Sequence, residues 1–161
     1  MNRFLKHWRK TGRGEVLRAH VISSADDFVI LSRGRAAEAL AWTKAVMAKL
    51  GLTLNEAKTK LKNARKEHFD FLGYAFGPHH HRKDGRWYLG ASPSKKNVRR
   101  LTAKIDELLV RGNHDPWPQV CERLNAMLRG WSTYFSHGTR LMAYRAVDHH
   151  VYGSVRHFLR R

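Results

Sequence analysis

The sequence predicts an α+β fold, in which β-hairpins and one helix are followed by an all-α bundle of three helices. Up to about residue 92, short β-prone apolar runs alternate with turn residues. Beyond Ser94, apolar residues recur every three or four positions, as in amphipathic helices. The chain has 161 residues, 42% of them hydrophobic, enough for one ordinary domain or two small units that share a core. We place the boundary between residues 1–92 and residues 93–161.

A β-hairpin is predicted near the start of the chain, after a basic stretch over residues 1–15 that contains a turn at 11–14. Two apolar β-rich runs, residues 16–23 and 28–31, flank a short polar turn. Helical spacing follows over residues 36–50, and Gly51 is placed to end that helix.

A second group of strands is predicted between residues 52 and 89. Residues 52–54 are β-prone, and residues 55–60 have the polar composition of a loop. Residues 68–76 are typical of one strand with apolar side chains on both faces. Asp84 and Gly85 form a tight-turn signal before a partner strand over residues 86–89.

Three helices are predicted after Ser94, which is a good N-cap for a helix over residues 95–110. Pro118 is placed in the first turn of a second helix, and residues 137–139 break that helix before a third. The apolar positions of the three helices are Val98, Leu101, Ile105 and Leu108; Val120, Leu124, Met127, Leu128, Trp131 and Phe135; and Tyr144, Val147, Val151, Val155 and Phe158. At this spacing, the aromatic side chains from Trp131 to Phe135 are interpreted as packing residues.

The chain is strongly cationic, because 31 lysines and arginines outnumber 13 acidic residues and leave a formal charge of +18. The charge is spread along the sequence, with a net +8 over residues 1–80 and +10 over residues 81–161. Such a surface favours polyanions, and its distribution suits a groove that follows a phosphate backbone. On the helix from Lys95, the basic side chains centre nearly opposite the apolar stripe, which predicts a surface that faces phosphates.

Composition argues against several other classes. No apolar run approaches the roughly 20 residues that span a bilayer, and the basic first residues do not form a secretory leader. The single Cys121 indicates a reducing compartment, so we expect a cytoplasmic protein with no membrane partner. Histidines 79–81 and 149–150 are interpreted as a polar loop and a helix surface, not as metal ligands.

Asp26 and Asp27 are adjacent carboxylates at the tip of the first hairpin. Neighbouring carboxylates repel each other unless a cation lies between them, and Mg²⁺ prefers one or two carboxylates plus substrate phosphates. In nucleotidyl transfer, two Mg²⁺ ions about 4 Å apart assist both the attacking and the leaving oxygen. The alternative is that the pair is turn chemistry alone.

The sequence on either side of this pair favours the interpretation of Asp26 and Asp27 as metal ligands. Ser24-Ala25-Asp26-Asp27 between two hydrophobic strands resembles the catalytic hairpin of reverse transcriptases, whose tetrad usually reads Tyr-Ala-Asp-Asp. Further blocks similar to that family follow in order, at residues 52–59, 69–74, 93–96 and 124–135. The ordered series resembles the group II intron reverse transcriptase/maturase family over nearly the whole chain. This resemblance implies a partial palm over residues 1–92, then thumb and maturase helices over residues 93–161.

The resemblance also implies roles for the matched positions. Asp26 and Asp27 would be the catalytic metal ligands, with Mg²⁺ as the cofactor. Residues near the nucleotide and the primer would be Ser24, Ala25, Lys58, Phe71, Leu72, Gly73 and Tyr74. Nucleic acid would be held by the basic helical residues Lys95, Lys96, Arg99, Arg100, Lys104 and Arg129.

Two function classes stay open at this point. The chain is either the C-terminal part of an RNA-directed DNA polymerase that also assists intron splicing and mobility, or an RNA-binding maturase without polymerisation. Ser24 stands where the family has Tyr, and only Glu15 is acidic upstream of it. Expected partners are group II intron RNA, a template–primer duplex and a DNA target. The uncovered apolar face of a partial palm also predicts self-association.

Overall fold

A computed structural model describes residues 1–81 and 84–160 and confirms the predicted α+β class. The chain divides into two compact units, Met1–Asn63 and Ala64–Arg161, called here the N-terminal and the C-terminal unit. The boundary predicted at residue 92 marks the change from β-prone to helical spacing in the sequence, and it stays a prediction. No helix within the described ranges combines the length and the apolarity that crossing a lipid bilayer requires.

The N-terminal unit contains a two-stranded antiparallel sheet and a long helix. Ala19 pairs with Ser32 at the open end of the hairpin, and Ser24 pairs with Asp27 at its tip. The predicted hairpin and helix are thereby confirmed. The elements are α1 (Asn2–Lys10), α2 (Arg13–Val16), β1 (Ala19–Ser24), β2 (Asp27–Ser32) and α3 (Ala36–Lys49).

Two predictions about this unit were wrong, and helix α1 was not predicted. The basic start of the chain forms helix α1, because Phe4 and Trp8 lie one turn apart and are both buried. The first strand begins at Ala19 and not at residue 16, since residues 13–16 form the short helix α2. Residues 52–54 form no strand.

Gly51 ends α3 as predicted, through a Schellman motif. Its φ of +66° is costly for most residues but open to glycine. The Gly51 N–H donates to the Ala48 carbonyl at 3.1 Å, and the Leu52 N–H donates to the Met47 carbonyl at 2.9 Å. These bonds satisfy carbonyls that the end of the helix leaves without partners.

One face of the β1–β2 hairpin packs on the core of the N-terminal unit, through Val21, Phe28 and Ile30. On the opposite face Ile22 and Leu31 are 47% and 40% exposed. The hairpin is therefore covered on one side only within this unit. The buried residues of the core are Phe4, Trp8, Leu17, Ala19, Ala39, Val46 and Met47.

The C-terminal unit contains an antiparallel three-stranded sheet in the order β3-β4-β5, followed by three helices. Its core lies among the helices, where α4 packs on both α5 and α6. The buried residues of this core are Leu101, Ile105, Leu109, Val120, Leu124, Val147 and Phe158. The elements are β3 (Phe69–Phe71), β4 (Tyr74–His80), β5 (Trp87–Pro93), α4 (Lys95–Leu108), α5 (Trp117–Tyr134) and α6 (Leu141–Phe158).

The single strand predicted over residues 68–76 is a hairpin. Phe71 pairs with Tyr74 across a two-residue turn, in which Leu72 has a φ of 49° and Gly73 a φ of 78°. Two positive φ angles are typical of the type I′ turn, whose twist matches that of the strands. The prediction of a loop at the first histidine cluster was also wrong, since His79 and His80 belong to β4.

The three predicted helices are confirmed, with small shifts at their ends. The Ser94 side chain caps α4 by accepting from the Asn97 N–H at 3.3 Å. Helix α4 ends at Leu108, two residues earlier than predicted. Pro118 lies in the first turn of α5 as predicted, where its missing N–H costs nothing.

Candidate nucleic-acid interface

The first three turns of α4 carry five exposed basic side chains. The helix is fixed on the unit by Leu101 and Ile105, which are buried on its other side. The predicted separation of an apolar and a basic face is therefore confirmed. The exposed cations are Lys95, Lys96, Arg99, Arg100 and Lys104.

None of these five cations forms an ion pair with another residue in the part of the chain that the structure describes. Lys95 and Lys96 lie in the first turn, where they also oppose the helix dipole, since the N-terminal end of a helix carries partial positive charge. A cation there costs about 0.3–1 kcal/mol at low ionic strength. The cluster is thus a concentrated positive surface with nothing in the described residues to neutralise it, which suits a polyanion.

The turn after β3, where primer-binding residues are predicted, lies against the start of α4. The Gly73 carbonyl accepts from the Ser94 N–H at 2.9 Å and from the Asn97 side-chain amide at 3.1 Å. A Cβ on Gly73 would come within 2.9 Å of that amide and 3.2 Å of the Phe135 ring. The structure therefore brings Phe71–Tyr74 together with the basic start of α4.

The end of α5 holds the other side of this turn. The Tyr134 hydroxyl donates to the Leu72 carbonyl at 2.9 Å, and the Tyr74 hydroxyl donates to the Tyr134 carbonyl at 2.8 Å. Tyr74 also packs on Phe135, with ring centroids 4.9 Å apart. Tyr134 packs against Phe135 as interpreted, with ring centroids 4.8 Å apart, although its side chain is 56% exposed. No spacing in the sequence pointed to this role.

Two arginines of α5 differ in how available they are. Arg129 is exposed, as the predicted nucleic-acid contact requires. Arg123 instead forms an ion pair with Asp115. Helix α5 therefore supplies at least one further cation in the same unit as the α4 cluster.

The four residues of the predicted catalytic tetrad occupy the tip of the β1–β2 hairpin. Ser24 ends β1, Ala25 and Asp26 form the turn, and Asp27 begins β2. Ala25 adopts a φ of 51°, a left-handed conformation that is uncommon for a residue with a side chain. All four residues are exposed, so both carboxylates are open to a ligand.

Carboxylate oxygens are ligands that Mg²⁺ prefers, so Asp26 and Asp27 match the chemistry of the predicted cofactor. Within residues 1–81 and 84–160, no group of three or more histidine, cysteine or acidic side chains is placed to hold a metal ion. The pair alone therefore does not complete a two-metal site.

Lys58, the predicted phosphate contact of the N-terminal unit, lies in a turn and is exposed. The backbone N–H of Lys58 donates to the Asn55 side-chain oxygen at 3.2 Å, and this bond fixes the turn. Beside it, the Lys44 ammonium donates to the Glu56 carboxylate at 2.7 Å and lowers the pKa of Glu56. Glu56 is thereby paired, while Lys58 is open to solvent.

Comparison with known families bears on the C-terminal unit. Residues 98–161 match the maturase-specific domain of group II introns. This maturase-specific domain includes most of α4 and all of α5 and α6, so it contains Arg99, Arg100, Lys104 and Arg129. The match confirms the maturase part of the resemblance, and the reverse-transcriptase palm stays a prediction. No curated protein sequence matches the chain.

Proposed function

We propose that the chain binds group II intron RNA through its C-terminal unit and assists splicing as a maturase. The observation that carries this proposal is the exposed, unpaired cationic face of α4, most of which lies in a maturase-specific domain. Cations of this kind bind phosphates by releasing the counterions that RNA condenses, so binding weakens steeply as salt rises. Arginine also offers a planar fork that matches phosphate oxygens.

The test measures binding of the full chain to a group II intron RNA at several salt concentrations, by fluorescence anisotropy. The variant replaces Lys95, Lys96, Arg99 and Arg100 with glutamine. Each phosphate contact contributes roughly 0.7–0.9 to the slope of log K against log salt, so losing four contacts lowers the slope by about 3. An unchanged slope removes this face of α4 from the interface.

The matched control removes the same charge from the N-terminal unit. Arg3, Lys6, Arg9 and Lys10 are all exposed on α1, and their replacement by glutamine leaves α4 intact. We expect this control to keep a steeper slope than the α4 variant. An unrelated RNA of equal length tests the family-level proposal, which fails if both RNAs bind equally and the intron splices no faster with the chain present.

We further propose that Asp26 and Asp27 are the metal-binding carboxylates of a reverse-transcriptase palm. The observation that favours this second function is their exposure at a tight hairpin tip, held by the left-handed Ala25. Bound Mg²⁺ would supply positive charge for substrate phosphates. In this proposal Ser24, Ala25 and Lys58 face the nucleotide, and residues 71–74 contact the primer of a template–primer duplex.

Primer extension on poly-rA/oligo-dT with Mg²⁺ tests whether the chain polymerises on its own. We expect no incorporation by the chain alone, since two carboxylates do not complete the metal site. Incorporation that disappears in Asp26→Ala but persists in Asp148→Ala would show that the chain is an active polymerase. Asp148 is a suitable control because it is an exposed aspartate on α6, outside the predicted metal, nucleotide and primer residues. Binding of a DNA target and self-association stay predictions.

A further inference from the structure

A groove of about 630 Å³ runs between the C-terminal end of α4 and one side of α6. It lies within the matched domain and on a different part of α4 from the basic first turns. The titratable and charged groups that face it are Asp106, Arg111, His149, His150 and His157.

Arg111 and His157 meet across this groove. The Arg111 Nε–H donates to His157 Nε2 at 3.1 Å. To accept this bond, His157 Nε2 needs its lone pair, which it has only when the ring proton lies on Nδ1. The Nη groups of Arg111 keep further N–H donors in a planar fork, and both side chains are exposed.

The single acidic group of the groove already has partners. The Asp106 carboxylate lies 2.8 Å from His150 Nε2 and accepts from the Ser154 hydroxyl at 3.3 Å. Asp106 is thus occupied by groups other than Arg111. Among the described residues that line the groove, the hydrogen-bond partner of the Arg111 guanidinium is His157, which brings no negative charge, so the groove can accept an anion.

We propose that this groove binds a phosphate group of RNA, with Arg111 and His157 as its ligands, and that His157 gains a proton when the phosphate binds. The inference rests on the proposed function and adds a second contact region to it. Protonation turns His157 Nε2 from an acceptor into a donor, which breaks the bond from Arg111 and sets two cations side by side. A phosphate between them accepts from both and removes the repulsion. Binding of a proton by His157 and binding of a phosphate by the groove therefore strengthen each other.

The first test measures binding of oligouridylate by the full chain. The phosphodiester charge of this RNA is constant over the pH range of interest. Histidine ring signals are followed by NMR during the titration, and affinity is measured at pH 7.5 and pH 6.5. Uptake of one proton changes an affinity by at most about tenfold per pH unit. We expect the His157 signals to shift and the affinity to rise severalfold at the lower pH.

Variants identify the groups responsible. His157→Gln should lose most of the pH dependence, and Arg111→Gln should weaken binding severalfold at both pH values. His114→Gln is the histidine control, because His114 is exposed and does not line the groove. Arg129→Gln is the charge control, and it should weaken binding while leaving the pH dependence intact. Circular dichroism confirms that each variant is folded.

The inference is overturned if His157→Gln keeps the full pH dependence, or if Arg111→Gln binds like the unmodified chain. Its failure is separable from failure of the proposed function. If the chain binds intron RNA selectively and neither variant changes that binding, the groove is not a contact region and the proposed function stands. A pH-dependent response of the groove to oligouridylate, without any preference for intron RNA, would support the groove and remove the maturase proposal.

Discussion

Two glycines of the C-terminal unit differ in the space that a side chain would have at their position. At Gly138 a Cβ would lie 2.3 Å from the Ala91 carbonyl oxygen, and φ is +75°. That oxygen accepts from the Thr139 N–H at 2.7 Å, so it cannot move away freely. At Gly130, inside α5, no described atom beyond its chain neighbours and the adjoining helix backbone lies within 4 Å of the Cβ position.

We therefore expect Gly138→Ala to destabilise the chain by about 2–4 kcal/mol, from the left-handed backbone and the overlap together. Gly130→Ala should stabilise it by about 0.5–1 kcal/mol, because alanine loses less backbone entropy in a helix. Urea denaturation of both variants measures the two effects. A small effect of Gly138→Ala would show that the contact with Ala91 does not constrain the loop.

A second prediction for a single residue concerns how the stability of the C-terminal unit depends on pH through His79. Burial of the ring lowers the pKa of His79, and the charge of His68 lowers it further. In the unfolded chain a histidine binds its proton near pH 6.5, whereas folded His79 resists protonation to lower pH. The contribution of His79 to the stability of the C-terminal unit is thus complete above about pH 6.5 and is lost as the pH falls below that value.

His79→Phe keeps a ring between His68 and Tyr88 and removes the titration. We expect the urea midpoint of the C-terminal unit to fall less between pH 7.5 and pH 5.5 in this variant than in the unmodified chain. His20→Gln is the control, since His20 is exposed on β1. An equal fall in all three proteins would assign the acid sensitivity to other groups.

At the scale of elements, the β1–β2 hairpin is the least supported pair of strands. Each strand pairs on one side only within the described residues, and Ile22 and Leu31 are exposed on the outer face. Two-stranded sheets are marginally stable without packing. We expect amides of β1 and β2 to exchange with solvent faster than those in the middle of α4 or in β4, the central strand of its sheet. Equal protection would contradict this expectation.

The elements that sequence reasoning found are those with a local signal. Helix α4 has a Ser94 cap and an apolar stripe, and the first hairpin has two β-rich runs around Asp26 and Asp27. The turn at Leu72 was missed because leucine rarely adopts a positive φ, and the groups that hold it come from residues 94, 97 and 134. Such long-range support leaves no local pattern in the sequence.

The candidate site also has one part with a local sequence signal and one part that depends on long-range contacts. The exposed face of α4 could be predicted, because helical spacing alone separates Leu101 and Ile105 from the basic residues. The groove at Arg111 and His157 could not, since these two residues are 46 positions apart and meet only when α4 packs on α6. Residues joined by tertiary packing become visible only in the fold.

For the whole molecule, the two hydrophobic cores share no residue. Phe4 is fully buried in the core of the N-terminal unit, and Ile105 is fully buried in that of the C-terminal unit. A core of its own is what allows a segment of a chain to unfold as a cooperative unit. The net charge of +18 also favours measuring stability at moderate salt, where self-repulsion is screened.

We therefore expect two transitions when the chain is unfolded in urea. Phe4→Ala should destabilise one by about 3–5 kcal/mol, and Ile105→Ala should destabilise the other by about 2–5 kcal/mol, since each leaves a cavity in a separate core. Trp8 and Trp131 lie in different units, so two single-tryptophan variants, one keeping Trp8 and the other Trp131, report on the units separately. A single transition that both substitutions shift equally would mean that the two cores unfold as one, and the division at residue 63 would then have no thermodynamic meaning.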